Sequence, residues 1–339
     1  MPASASSGKN LPVDVVITWV DGNDHRLIEK MEPFLQGQDH RNDPGTNLTR
    51  FASVNEIRYC VLSILTFAPF VRNIFIVTDG QDPNLDEDIR TWFPERRGSI
   101  RIVDHSEIFR DFEEYLPTFN SRSIECMLWR IPGLSDNFVY FNDDTFLVRK
   151  IRPEDWFIDN RPVLRGKWLP IPLPWFFWDF IRKTVNKCFL NNPDYQPRPS
   201  FHLGQWLSAS ILGMKYRYFV YSHTPHAIDR RRVEKFFSGK KELLEKNIAY
   251  RFRNHKQFIF AALSGHLELL DGNEQITSPD LAYLQPLNRP KNYIDKKIRF
   301  CENNPRIKFL CVQSLEMCRK EDQKKLFSWM ETLLQLNKV

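Results

Sequence analysis

The 339 residues contain no CxxC pair, and the six cysteines, at 60, 126, 188, 301, 311 and 318, share no zinc-type spacing with histidine. That excludes a zinc-finger or zinc-ribbon scaffold and leaves reduced, buried thiols as the expectation. An apolar leader is also missing. The first ten residues, MPASASSGKN, are polar, so a flexible tail over 1–12, no secretory signal and a cytoplasmic protein are expected. No apolar run reaches bilayer length. The most apolar stretch, Trp168 to Leu190, is interrupted by prolines and by Asp179, Arg182, Lys183 and Lys187, which excludes a spanning helix. There is no dense basic tract either: the net charge is +6, with Lys and Arg spread along the chain. No nucleic-acid partner is indicated, and the balance suits anionic substrates or an anionic membrane surface equally well.

What is present fits a globular enzyme. Hydrophobic residues make up 42% and charged residues 27% of the chain, which excludes a disordered or low-complexity protein. The length permits one large domain with insertions over 13–339. Val13 to Val20 reads as a buried strand closed by Asp21 and Gly22, with Asp24 placed to cap a following helix. Apolar residues recur at helical spacing from Val54 to Ala68, and Pro69 ends that element. Strands are expected at Asn73 to Thr78, closed by Asp79, and at Ile100 to Val103, running into Asp104 and His105. Asn120 or Ser121 can cap a helix through about Arg130, and the strand Val139–Phe141 then turns sharply into Asn142, Asp143 and Asp144. Strands alternating with helices predict an α/β fold with a mainly parallel sheet and helices on both faces. In such sheets ligands sit beyond the carboxyl ends of the strands, and here those ends carry acids.

Adjacent carboxylates at a strand end suit a hard cation, Mg²⁺ or Mn²⁺, which keeps positions for water and substrate phosphates. A nucleotide-sugar diphosphate is the expected ligand, with a solvated turn as the plainer reading of Asn-Asp-Asp. Residues 161–220 form an aromatic, proline-broken insertion with Trp168, Trp175, Phe176, Phe177, Trp178 and Trp206. A lid or acceptor platform and a second hydrophobic subcore fit it equally. His223 and His226 flank a stiffening Thr-Pro pair and are placed to touch a phosphate or a reacting hydroxyl. Asp322 to Leu336 reads as an amphipathic helix, packed on the domain in the first reading and membrane-facing in the second.

Four ordered blocks carry a family resemblance: VDVVITWVDGND; NEIRYCVLSILTFAPFVRNIFIVTDGQ through YFNDDTFL; SHTPHAID with FRNHKQF; and a weaker KFLCVQSLE from Lys308. The chain resembles the Stealth family of hexose-1-phosphate transferases, which includes bacterial capsular-polysaccharide phosphotransferases and the lysosomal-enzyme GlcNAc-1-phosphotransferase. The resemblance implies a Rossmann-like, nucleotide-sugar-binding core of the glycosyltransferase-A type over 13–160, an insertion over 161–220, and a helical part over 221–339 that completes the site. Family active-site positions fall on Glu125, Asp144, His223 and Arg253, with donor contacts expected from Asp21, Gly22, Arg58 and Asn120 and Asp143 as a second metal ligand. Two departures stand out. His255 and Lys256 replace an acidic residue usual after the arginine, and Val312-Gln313-Ser314 replaces a Leu-Asn-Asp type ending.

The resemblance implies transfer of a sugar 1-phosphate from a UDP-sugar, UDP-GlcNAc by default, to a saccharide hydroxyl, with release of UMP. Glu125 and His223 both remain candidates for the base. The rivals are a metal-dependent glycosyltransferase releasing UDP and a non-catalytic nucleotide-sugar-binding scaffold. The acceptor is expected to be an oligosaccharide, polysaccharide or lipid-linked saccharide. The setting is bacterial capsule synthesis at the inner face of the cell membrane, with association with the membrane or a capsule-assembly complex left open.

Overall fold

The computed structural model describes residues 11–35, 54–190 and 197–336; all but the last two residues of the expected tail lie outside them. The central sheet is built from β1 (Val13–Thr18), β2 (Ile74–Thr78), β3 (Ile100–Asp104) and β4 (Asn137–Asn142), all parallel, with His226–Asp229 added antiparallel at the β4 edge. The strand order is His226–Asp229, β4, β1, β2, β3. Burial on both faces explains the near-continuous apolar runs of β1, β2 and β4, whereas β3, at the sheet edge, leaves Arg101 and Ile102 exposed. Val15 and Ile17 enter one core with Val61 and Ile64 of the helix Glu56–Phe67. Val16 enters the other, with Phe138, Tyr140 and Met127.

The expected mixed α/β class with a mainly parallel sheet is the one observed. The boundaries differ in two informative places. The helix expected through Arg130 stops at Glu125, with Asn120 as its cap, and a single 3-10 turn covers Leu128–Arg130. The part after residue 220 is not only helical: besides the edge strand, it supplies Leu281–Leu284 and Phe309–Val312. These two strands and β5 (Thr145–Leu147) form a second sheet, in which Phe309–Val312 runs antiparallel to β5. The Val312 N–H donates to the Asp144 carbonyl at 2.9 Å. Thus the weak KFLCVQSLE block is bonded directly to the acidic turn.

The chain leaves β1 toward β2 and β3, then returns to the other side of β1 for β4. Reversal of winding direction opens a crevice between the carboxyl ends of β1 and β4, the place where open α/β sheets accept ligands. Register makes this edge level: Thr18 pairs with Asn142, and Thr78 with Asp104. The insertion adds the strand Leu164–Pro170, paired with Arg217–Tyr221, and two helices, Leu173–Cys188 and Phe201–Ile211. The C-terminal helix runs over Lys320–Leu333 and buries Leu326 and Met330, as its amphipathic pattern predicts.

Candidate active site

A cleft of about 640 Å³ occupies the crevice. Thr18, Trp19 and Val20 after β1 form one side, and Asn142, Asp143 and Asp144 after β4 form the floor. Glu125, His223 and Arg253 also line it, so all four expected catalytic positions and Asp143 face one cavity. Asp79 and His105 mark its far end, beyond β2 and β3.

The floor is rich in negative charge. Burial, then Asp144, then Glu56 push the Asp143 carboxyl well above the usual range. Burial pushes Asp144 up to about 6, with Glu56 adding to the rise against hydrogen bonds from Thr145 and Cys311. Neither aspartate forms an ion pair with Lys or Arg among the described residues. Buried carboxylates whose proton affinity is raised by neighbouring acids are a donor set that a divalent cation relieves. Among the described residues no three His, Cys, Asp or Glu side chains are grouped closely enough to enclose a metal. Asp144 and Asp143 would therefore suit a hard cation that takes its remaining ligands from outside the protein, and not one enclosed by an all-protein cage.

The cationic wall comes from distant segments. The amide of Asn120 donates to the carbonyls of Tyr250 and Phe252 at 2.8 and 3.0 Å, and Phe119 N–H donates to the Arg251 carbonyl at 2.8 Å. These bonds fix the loop that carries Arg253 against the start of the helix Ser121–Glu125. The Arg253 guanidinium donates to Ser121 Oγ at 2.6 Å. Glu125 lies behind it, 8% exposed. Burial raises its pKa, and the charges of Arg253 and Arg122 oppose the rise. Tyr140, whose hydroxyl donates to Asn142 Oδ1 at 2.7 Å, connects this acid to the strand end.

His223 is held flat between two rings, with centroids 4.5 Å from Phe201 and 5.4 Å from Tyr283. Burial, then the neighbouring His202, depress its pKa, so the imidazole is neutral near pH 7. Its Nδ1 lies 3.5 Å from the Gln313 amide nitrogen, and Gln313 Oε1 accepts from the Tyr283 hydroxyl at 2.5 Å. A neutral imidazole with fixed ring orientation can accept a proton from a hydroxyl in the cleft.

The four expected donor-binding residues lie off the cleft lining. Arg58 forks onto Asp88 at 2.6 and 2.7 Å. Asn120 caps its helix and positions the Arg253 loop. Asp21 and Gly22 form the turn after β1, where the Asp21 N–H and carbonyl both bond the Gln81 amide at 2.9 Å. Sequence reasoning missed Glu56, Ser121, Tyr140, Phe201 and Tyr283. Strand alternation carried a signal for Tyr140, which lies on the opposite face from Val139 and Phe141. Nothing local marked the others. Val312, Gln313 and Ser314, where the chain departs from the family pattern, line the cleft.

Comparison with known proteins adds to this geometry. The family model described as Stealth protein conserved region 1 matches residues 11–39, and that for conserved region 2 matches residues 50–163. In these two regions the chain is similar to the Stealth family. The match to conserved region 2 contains Glu125, Asp143 and Asp144, whereas His223 and Arg253 lie beyond both matches. A capsular polysaccharide phosphotransferase of Actinobacillus pleuropneumoniae is 42% identical over 150 residues, 44% of this chain and 39% of that protein. The chain thus spans about two fifths of the length of the curated relatives it first matches. A capsular polysaccharide phosphotransferase of Haemophilus influenzae is 29% identical over 308 residues, 89% of this chain and 78% of that protein. The galactosyltransferase LgtC, solved with donor and acceptor sugar analogues, overlays with a TM-score of 0.44 at 10% identity, covering 94% of this chain and 95% of that one. An overlay at that level carries no functional weight. No helix among the described residues is long and apolar enough to cross a membrane.

Proposed function

We propose that this chain transfers a sugar 1-phosphate from a UDP-sugar to a saccharide hydroxyl in the synthesis of a bacterial capsule or cell-surface polysaccharide. The observation that carries the reading is the meeting of Asp143 and Asp144 with Glu125, His223 and Arg253 in one cleft at the point where the sheet reverses its winding. The acceptor oxygen bonds to the sugar-bearing phosphorus, the bond from that phosphorus to the bridging oxygen breaks, and UMP leaves with the bridging oxygen. The anomeric C–O bond is untouched, so alignment and charge neutralisation dominate and no oxocarbenium stabiliser is needed. His223 is the base: it is neutral near pH 7 and its ring is fixed between Phe201 and Tyr283. Glu125 and Ser121 hold the Arg253 guanidinium, whose donors meet phosphate oxygens as a fork. Asp144 and Asp143 would hold Mg²⁺ or Mn²⁺, which when bound neutralises charge on the diphosphate.

GlcNAc is the default sugar, and the names of the relatives favour a capsular polysaccharide acceptor. The test is a donor screen with Mg²⁺ and an oligosaccharide acceptor, read by the released nucleotide and by phosphorus NMR of the product. UMP and a phosphodiester are expected. UDP with a phosphorus-free product would instead make the chain a glycosyltransferase, and donor binding without release of either nucleotide would make it a scaffold.

A further inference from the structure

The helix Leu173–Cys188 runs sixteen residues without burying one of them. On it Leu173 is 61%, Phe177 60% and Phe180 68% exposed, and Trp178 and Val185 are exposed as well. Residues 173, 177, 180 and 184–185 recur at the three- and four-residue spacing that places side chains on one helical face. Core packing explains such a stripe when it faces inward. Here the inward contacts come from elsewhere: the Trp175 ring stacks on His202 at 5.5 Å, and Phe176 meets Trp206 edge-on at 6.4 Å. The amphipathic pattern is therefore inverted, with the apolar stripe turned to solvent.

We propose that this helix lays its apolar face into the headgroup region of an anionic lipid bilayer. Three features select that occupant. Arg182, Lys183 and Lys187 are exposed on the same helix against a single acid, Asp179, and none of the three cations is ion-paired among the described residues. Aromatic rings with flanking cations are the side chains that settle at a lipid–water boundary. The helix is also too short to span, since crossing takes about 20 apolar residues, so it lies in the plane of the surface. Tyr216, 81% exposed, extends the same surface, because its carbonyl accepts from Ile171 N–H at 2.9 Å just before the helix begins. A second copy of the chain is the weaker occupant, since symmetric pairing of this helix with itself would bring its unpaired cations together. Rings connect the docking surface to the cleft: Trp175 stacks on His202, and the adjacent Phe201 stacks on His223.

The inference stands apart from the reaction assigned to the cleft, because its test reads binding without turnover. The chain is sedimented with vesicles of mixed phosphatidylglycerol and phosphatidylcholine and with vesicles of phosphatidylcholine alone. Binding at least tenfold stronger to the anionic vesicles is expected. The double variant Phe177→Ser, Phe180→Ser should lose that binding tenfold or more with an unchanged thermal melt, since both side chains are exposed. Lys183→Glu with Lys187→Glu should abolish the preference for anionic lipid. Failure of the unaltered chain to bind either vesicle would overturn the proposal, as would binding unaffected by the double serine variant. Loss of self-association in the serine variant, seen by analytical ultracentrifugation without vesicle binding, would assign the face to a second copy.

Discussion

Two pairs of acids end strands on the same edge of the sheet, and they do different things. Asp79, after β2, is clasped by Lys30 at 2.8 Å through both carboxylate oxygens. Asp104, at the end of β3, accepts from Ser106 N–H and Gly80 N–H at 2.9 Å. Against the cost of burial, the Ser106 bonds, the His105 charge and Gly80 hold its pKa below the ordinary range. Among the described residues Asp143 and Asp144 form no ion pair, and burial outweighs the hydrogen bonds they accept, so both carboxyls are pushed up. A carboxylate at a strand end is thus not in itself a site. What distinguishes the two pairs is whether the protein's own cations and hydrogen bonds outweigh the cost of burying them.

The comparison can be broken most decisively by Asp144→Asn. Turnover should fall about 100- to 1000-fold, the range for losing one charge-stabilising group, while the thermal melt is kept. Full activity with added Mg²⁺ would remove Asp144 from the reaction. Asp143→Asn should raise the melting temperature at pH 8, because it deletes one of two neighbouring like charges; a lower melting temperature would show that the Asp143 carboxylate is neutralised in the folded chain.

Arg253→Lys keeps the charge but not the fork and should cost about 100-fold in kcat/KM. Steady-state kinetics on the purified variant would check this, and loss confined to folding would recast Arg253 as structural. Acid titration of activity would blur the comparison unless a distant histidine is accounted for. His266 is fully buried, with Nε2 accepting from Phe219 N–H at 3.0 Å and Nδ1 donating to the Ala262 carbonyl. Burial lowers its pKa to about 4. The folded pKa lies below the unfolded one, so the unfolded chain binds the proton first. Stability is full above about pH 6.5 and is lost as pH falls toward 4, by on the order of 3 kcal/mol. Urea melts across that window should lose this slope in His266→Gln. The smallest effect is expected from Asp79→Asn: activity within a few-fold and stability within about 1 kcal/mol, as befits a partly exposed pair. A loss matching that of Asp144→Asn would dissolve the distinction.

Much of the sheet was legible because both-face burial writes uninterrupted apolar runs, and β1 through β4 were expected within about two residues. The convergence of acids followed from parallel topology. Their inequality did not, because it depends on Lys30 reaching Asp79 and on Asp144 forming no ion pair among the described residues. Contacts of that kind join segments far apart in sequence and leave no local pattern. The same holds for Asn120, whose residue type suits a ligand contact or a cap, and whose cap role appears only with the loop at Tyr250 and Phe252. The aromatic insertion left two readings open because composition cannot show direction: Trp206 packs inward, whereas Phe177 and Trp178 face solvent.

The bond from Val312 N–H to the Asp144 carbonyl also sets an order of events. A chain emerging from the ribosome displays the Asn-Asp-Asp turn long before Phe309–Val312 can dock against β5. Until then one wall of the cleft, with Gln313 beside His223, does not exist. Late arrival of that strand would leave the cleft of a half-made chain incomplete, so competence would appear in one step once Phe309–Val312 docks.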